Sequence, residues 1–215
     1  MKKTVLAMVA VLATATMASA SDLPSKKAAP APVAAPAAAS ESADTSVSLG
    51  FGFEADPGTY NKANKNLYTL GVEHRIPGGA FLGLNASTSQ AQPGDGALTQ
   101  NIEALAGYRM AFGPAAIKGS LGVGERFTTN SNFPYWVGRL GADYSISDQL
   151  TWNAVEYRYR NAFDAVNSYE SHRLGTGLTY SFARNQAIYT NVYRDFNSGW
   201  DTSGNGIVAG YKVSF

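Results

Sequence analysis

The stretch SHRLGTGLTYSF, residues 171–182, alternates between two kinds of side chain. Leu174, Leu178 and Phe182 belong to one set, and the other set consists of glycine, serine, threonine and the charged Arg173. Period-two alternation indicates a β-strand whose two faces meet different surroundings. In a soluble barrel the apolar set would fill the interior with bulky side chains. Here the second set is small and charged, which suits the inside of a narrow membrane barrel, so the pattern favours a membrane strand. Its apolar set would face lipid, and its small and charged set would face a lumen.

Runs of this kind recur from Thr45 to the C-terminus, each roughly ten residues long, as membrane-spanning β-strands are. The runs are residues 45–54, 66–76, 80–89, 99–111, 115–126, 135–146, 150–160, 171–182, 187–196 and 206–215. Their connections alternate in length. Tight ones lie at 77–79, 112–114, 146–149 and 183–186, and longer polar ones at 55–65, 90–98, 127–134, 161–170 and 197–205. The sequence therefore predicts an all-β, up-and-down antiparallel transmembrane barrel of about ten strands, with eight as the alternative count.

The N-terminal part of the chain lies outside this repeat. Residues 1–20 have a basic tip, a short apolar run and small residues at Ala18 and Ala20, the layout of a secretory signal peptide. Residues 21–44 are mostly alanine, proline and serine, which indicates a disordered periplasmic linker. The predicted domains are thus the signal peptide 1–20, the linker 21–44 and the barrel 45–215.

Charge and composition exclude several classes of protein. Without Lys2 and Lys3 of the signal peptide, 15 basic residues stand against 16 acidic ones, so no basic excess indicates a nucleic-acid partner. The chain has no cysteine, which excludes disulfides and thiolate metal sites. Nothing in the sequence indicates a metal or another cofactor.

Two short segments resemble known outer-membrane proteins. Residues 22–33, DLPSKKAAPAPV, resemble the mature N-terminus of porins and small opacity-type barrels of α-proteobacteria. The ending GYKVSF resembles the signal recognised by the barrel-assembly machinery, carried here by Gly210, Tyr211, Val213 and Phe215. The resemblance implies a multi-pass barrel in the Gram-negative outer membrane. Its implied partners are membrane lipid, lipopolysaccharide, the assembly machinery and periplasmic chaperones.

The aromatic residues fall near both ends of the predicted strands. Tyrosine and tryptophan prefer membrane interfaces, because one side of the ring system is apolar and the other tolerates water. The predicted interface residues are Tyr68, Tyr135, Trp136, Tyr157 and Tyr159 at the outer boundary, and Tyr108, Tyr180, Phe182 and Tyr211 at the inner one.

Charged residues share the parity of the small ones, so they are predicted to face the lumen. The candidate lining residues are Arg126, Arg139, Glu156, Arg158, Arg160, Arg173, Glu54, Glu73 and Glu103. Strand nine leaves open whether Asp195 or Arg194 faces inward. These charges either fill the barrel as buried ion pairs or line a solute path whose basic excess favours anions.

Function follows from that alternative. The sequence predicts a small porin-like diffusion channel for small solutes or a structural membrane protein. The second hypothesis is a closed scaffold or adhesin that acts through its long loops. A hydrolase is the remote alternative, because pairing of strands eight and nine brings His172 near Asp195. The omptin pattern also needs an aspartate pair, which is absent, so no catalytic residue is predicted.

Overall fold

The computed structural model describes residues 44–57, 64–92 and 97–215. The predicted signal peptide and nearly all of the predicted linker lie outside these residues. The strands are β1 Asp44–Ala55, β2 Lys65–Arg75, β3 Ala80–Ala91, β4 Leu98–Phe112, β5 Ala115–Phe127, β6 Asn132–Ser145, β7 Leu150–Ala162, β8 Glu170–Ala183, β9 Gln186–Phe196 and β10 Thr202–Ser214. A 3₁₀ turn, Ala165–Asn167, lies between β7 and β8. No helix among the described residues has the length and apolar content to cross a membrane.

The ten strands form one closed antiparallel barrel in sequence order, so the predicted fold is confirmed. β10 pairs with β1 to close it, and at the seam Phe215 N–H donates to the Thr45 carbonyl at 2.8 Å. Closure leaves no exposed strand edge, which a membrane requires because lipid cannot satisfy free backbone groups. At one end of the barrel, tight turns join the strands. Most of the long loops lie at the other end. In outer-membrane barrels the tight turns are periplasmic.

One predicted loop is shorter than expected. Residues 127–134 were predicted as a long loop, but β5 continues to Phe127 and β6 begins at Asn132. The intervening turn is closed by Thr128 N–H donating to the Ser131 carbonyl at 2.8 Å. Phe133 points into the barrel, where its ring centroid lies 5.3 Å from that of Tyr169. Because this ring is buried in the lumen, β6 begins three residues earlier than the polar composition of the stretch predicts.

The outer surface of the barrel is apolar. Leu84, Leu121, Leu140 and Ile188 are among many large apolar side chains that are exposed, with Leu121 at 68%. A soluble monomer rarely exposes a contiguous surface of this kind, whereas acyl chains cover it in a bilayer.

A bulge in β7 reverses the parity of that strand. The register with β8 shifts between Asn153 and Glu156, so Trp152 and Val155 both face outward although their parities differ. An extra residue in one strand of a ladder produces this reversal. Simple alternation therefore cannot assign both halves of β7.

Aromatic rings inside the barrel lie over glycines of the neighbouring strand. Tyr193 is paired with Gly206 and Tyr189 with Gly210. A Cβ atom at Gly206 would lie 2.2 Å from the Tyr193 ring, and one at Gly210 would lie 2.4 Å from Tyr189. The missing side chains let the rings lie flat against the wall, which keeps space in the lumen.

The predicted orientation of Tyr135 is wrong. Its side chain is 0% exposed and points into the lumen. The physical reason is strand parity: Tyr135 lies on the same face of β6 as Arg139, and both side chains contact Glu103. The other predicted interface aromatics lie on the outward face: Tyr68, Trp136, Tyr157, Tyr159, Tyr108, Tyr180, Phe182 and Tyr211. Their role at the membrane boundary stays a prediction.

Candidate functional site

The candidate site is the charged lumen. The residues predicted to line it all border the lumenal cavities: Glu54, Glu103, Arg126, Arg139, Glu156, Arg158, Arg160 and Arg173 border the larger one, and Glu73 the smaller one. The open question in β9 has an answer, because Asp195 faces inward and Arg194 faces outward. Asp195 borders the larger cavity, whereas Arg194 is exposed and borders neither cavity.

Three arginines form a row across adjacent strands. Arg139 of β6 is directly opposite Arg158 of β7, which is directly opposite Arg173 of β8. Like charges in directly opposite positions destabilise a sheet unless counter-charges lie close by. The row therefore needs the carboxylates that reach it from other strands.

Glu103 of β4 is the counter-charge at one end of the row. Arg160 donates to its Oε1 through Nε at 2.6 Å and Nη2 at 2.5 Å, and Arg139 Nη2 donates to its Oε2. The Tyr135 hydroxyl donates to Oε1 at 3.0 Å. Glu103 is almost fully buried. A buried carboxylate needs this degree of pairing to offset its lost hydration.

Asp195 and Glu54 are the counter-charges at the other end. Arg173 binds both oxygens of Asp195, through Nε and Nη2 at 2.6 Å each, and its Nη2 lies 3.3 Å from Glu54 Oε1. The Tyr193 hydroxyl donates to Glu54 at 2.7 Å, and its ring centroid lies 3.4 Å from the Arg173 guanidinium carbon. Arg173 on β8 thus reaches across to a residue of β1, and the ion pair constrains the width of the lumen.

Arg158, in the middle of the row, has the weakest pairing. Its carboxylate contact is a 3.5 Å approach of Nη2 to Asp195 Oδ1, an oxygen that Arg173 already occupies. Its Nε is buried without a hydrogen-bond partner among the described residues, and the same holds for Nε of Arg139. Buried donors without partners are costly, so these two N–H groups lower the stability of the row.

The mouth at the long-loop end carries another pairing. Tyr169, in the loop before β8, turns inward and packs against Tyr135, with ring centroids 5.9 Å apart. Arg126 Nη1 lies 3.3 Å from the Tyr169 hydroxyl and 3.3 Å from Asn101 Oδ1. No carboxylate in the described ranges forms an ion pair with Arg126. Tyr169 lies in the connection 161–170, which its composition predicts to be a polar loop, and no alternation extends there to indicate an inward side chain.

Two pKa values at this mouth are displaced. The hydrogen bond from Lys65 Nζ, at 2.9 Å, holds the pKa of Asp56 below its ordinary value. Burial acts to raise the pKa of Tyr169, but the nearby guanidinium groups of Arg160, Arg126 and Arg158 outweigh it and lower that pKa to about 8. A positive potential therefore prevails where the Tyr169 hydroxyl lies.

A pH titration tests this potential. We expect one tyrosine to ionise with a midpoint near 8, because the phenol is neutral below its pKa and anionic above it. Ultraviolet absorbance of the folded protein in detergent measures tyrosinate formation. Tyr169→Phe should remove the tyrosinate signal that has its midpoint near pH 8, and Arg126→Gln should raise that midpoint. A titration in which every tyrosine ionises near or above pH 10 would contradict the positive mouth.

Side chains do not fill the lumen. It contains one cavity of about 680 Å³ toward the long-loop end and a second of about 160 Å³ toward the tight-turn end. The two share the residues Ser48, Gly71, Asn85, Arg139, Glu156 and Lys212, which we call the neck. Beyond the neck, ion pairs join Glu73 to Arg75 at 2.9 Å and Lys118 to Asp143 at 3.5 Å.

The geometry around His172 does not form the dyad considered from the sequence. His172 lies on the outward face of β8, whereas Asp195 points inward to the arginines. The ring of His172 stacks on Trp200, with centroids 4.4 Å apart, and its Nδ1 lies 2.8 Å from the Tyr157 hydroxyl. The packing anchors the loop before β10. Among the described residues, no group of three or more histidine, aspartate or glutamate side chains is arranged to hold a metal.

A closed antiparallel barrel with an apolar exterior and an ion-paired lumen is an integral β-barrel protein of the Gram-negative outer membrane. No protein-family model matches the sequence, and no curated protein matches it.

Solved structures with a similar fold include porins. An anion-selective porin from Comamonas acidovorans is 16% identical, with a TM-score of 0.40 over 72% of this chain and 57% of that one. The NanC porin is 11% identical, with a TM-score of 0.48 over 78% of this chain and 98% of that one. The β-domain of the Bordetella autotransporter BrkA is 12% identical, with a TM-score of 0.48 over 80% and 99%. The chain thus spans little more than half the length of the Comamonas porin.

Proposed function

We propose that the protein is a narrow passive diffusion channel that favours small anions. The observation that carries this proposal is the pair of lumenal cavities that share the lining residues of the neck. A scaffold without a transport role has no need of an unfilled interior, and side chains can fill a small barrel completely. Water in the cavities would give charged solutes a route past the ion pairs.

The lumenal charges support a preference for anions. The carboxylates Glu103, Asp195 and Glu54 are engaged by arginines. Among the described residues that border the cavities, the cations Arg126 and Lys212 have no ion pair, against the carboxylate Glu156, which accepts from Asn191 at 3.1 Å. Cations that lack a fixed partner attract mobile counter-ions in a narrow, low-dielectric passage. Small anions would accumulate in the lumen for this reason.

Conductance of the purified protein in planar bilayers tests the proposal. In a potassium chloride gradient we expect discrete channel openings and a reversal potential close to the equilibrium potential of chloride. The reason is that the mobile ion enriched in the lumen carries most of the current. Detergent without protein and heat-unfolded protein are the controls. The proposed anion channel would be refuted by a bilayer that shows no current with correctly folded protein. A reversal potential close to the equilibrium potential of potassium would refute it as well.

A surface-binding role is the second candidate, and the same bilayer silence would favour it. Its support is the exposure of large apolar side chains on the long loops: Phe163, Val166 and Trp200 are exposed, Val166 at 92%. Under this alternative, polar substitutions at Phe163 and Val166 would abolish surface binding and leave the barrel intact. Tyr169 must be kept in that experiment, because it belongs to the lumen.

The narrower family assignment is also a proposal. We infer from residues 22–33 that the chain is a small opacity-type or porin-like barrel of an α-proteobacterium. The separate resemblance of the segment GYKVSF supports its recognition by the barrel-assembly machinery. The outward environment of His172, with no aspartate pair beside it, supports a protein without catalytic activity.

A further inference from the structure

Tyr169 enters the lumen from a loop and rests on other side chains. Among the described residues, the aromatic side chains that border the larger cavity are Tyr169, Tyr189 and Tyr193. Tyr189 and Tyr193 lie flat over glycines of β10, so each is close to the wall. The Tyr169 ring instead packs on two inward-facing rings, with its centroid 5.3 Å from that of Phe133 and 5.9 Å from that of Tyr135. A layer of side chains therefore separates it from the wall, and it narrows the cavity.

The loop that carries Tyr169 is fixed by its backbone. Ala162 N–H donates to the Tyr169 carbonyl at 2.9 Å, which closes the loop. Phe163 N–H donates to the Pro134 carbonyl of β6 at 3.2 Å. Ser168, directly before Tyr169, has a φ of 42°, a left-handed conformation that persists only where the surroundings hold it. The ring is therefore held in place by the backbone as well as by its packing.

The Tyr169 hydroxyl reaches three strands along the wall. It lies 3.3 Å from Arg126 Nη1, and the Arg126 guanidinium carbon lies 4.8 Å from the centre of the ring. β8 begins directly after Tyr169 and Arg126 belongs to β5, so the contact crosses β7 and β6. With neighbouring strands about 4.8 Å apart, it spans about 14 Å of the wall. The ring thus occupies the β5–β7 side of the mouth and lies against the guanidinium group of Arg126.

We propose that Tyr169 is the size filter of the long-loop mouth, where its ring limits the cross-section of the anions that can enter the larger cavity beside Arg126. This inference deepens the proposed channel and rests on it for passage beyond the neck. Selectivity in a narrow pore depends on its diameter as well as on its charge. A tyrosine has only two side-chain torsions, so a packed ring forms a stiff boundary that a bulky solute does not push aside easily.

A single cysteine in the lumen tests the filter without a current measurement. The chain has no cysteine of its own, and Ser87 borders the larger cavity but not the smaller one. Reagents that enter by the long-loop mouth therefore reach position 87 of a Ser87→Cys variant without crossing the neck. Labelling of this folded variant in detergent is timed with two anionic thiol reagents, 2-sulfonatoethyl methanethiosulfonate and a maleimide that carries a bulky sulfonated dye. We expect the small reagent to react readily and the dye to react slowly.

Removal of the ring should open the mouth to the bulky reagent. In the Ser87→Cys background, Tyr169→Ala should speed labelling by the dye about tenfold or more, a barrier lowered by about 1.4 kcal/mol, and leave the small reagent nearly unchanged. Tyr169→Leu keeps apolar packing on the neighbouring rings and should give a smaller change in the same direction, which covers an alanine variant that folds poorly. Tyr169→Phe keeps the ring and should label as the background does. Phe163→Ala is the matched control, because Phe163 is an aromatic residue of the same loop whose side chain is exposed.

Dye labelling that is equally fast in the background and in the two smaller variants would overturn the filter. Chloride conductance measured on the same preparations separates the two proposals. Conductance without an effect of Tyr169 on dye labelling refutes the filter alone. Faster dye labelling of Tyr169→Ala, in a folded protein that carries no current, refutes the channel and retains the filter.

Discussion

Replacing Glu103 with alanine is expected to cost more stability than any other single change in the lumen. The carboxylate accepts from Arg139, Arg160 and Tyr135, and its removal leaves two arginines without a carboxylate partner in the described structure. Breaking a buried pair by removing one member typically costs about 3–5 kcal/mol. We therefore expect a barrel that folds poorly or unfolds at much lower denaturant.

Urea unfolding in lipid vesicles, with heat-modifiable migration on gels as the folding assay, measures this loss. Glu125→Ala is a suitable control, because Glu125 has only a 3.4 Å hydrogen bond with Asn132 at an exposed position. The stability lost in Glu103→Gln should lie between the losses in these two variants. The amide keeps an acceptor for the Tyr135 hydroxyl, but the negative charge is gone. A cost below about 1 kcal/mol for Glu103→Ala, the range of exposed pairs, would show that the cluster is hydrated.

Charge reversal at the mouth is expected to have the largest effect on selectivity. Arg126→Glu changes the lumenal charge by two units without depriving a carboxylate of its partner, because Arg126 contacts Asn101 and Tyr169. A unit charge about 7 Å from a permeating ion in water contributes about 0.6 kcal/mol. Two units change the partition of an anion into the mouth roughly sevenfold. A cation changes by the same factor in the opposite sense, so the ratio of anion to cation permeability changes roughly fiftyfold.

Reversal potentials across a potassium chloride gradient measure the change in the permeability ratio. The change should become smaller as the salt concentration is raised, because screening shortens the range of the charge. Arg184→Glu carries the same charge change on the exposed turn at the opposite end and should leave the ratio near that of the parent. Equal reversal potentials for Arg126→Glu and the parent would place the selectivity elsewhere in the lumen.

Some features could be predicted from local pattern and others could not. The ten strands follow from alternation and from the spacing of tight turns, both of which depend on neighbouring residues. The aromatic character of Tyr135 predicts an interface position, whereas its shared parity with Arg139 on β6 places its side chain in the lumen. Trp152 could not be placed by alternation, because a bulge reverses the parity of its strand. Tyr169 lies in a loop, where no period indicates direction.

Alternation along the chain is enough to show which face of each regular strand is charged, because a two-residue period is a local property of an extended chain. Which of these charges meet depends on the folded barrel. Glu54 and Arg173 are 119 positions apart, and closure of the barrel and the stagger of its strands bring them within 3.3 Å. The same closure leaves Arg158 with the weakest partner and leaves the cavity beside it open. Ion pairing across a lumen depends on distances between side chains that no local pattern contains.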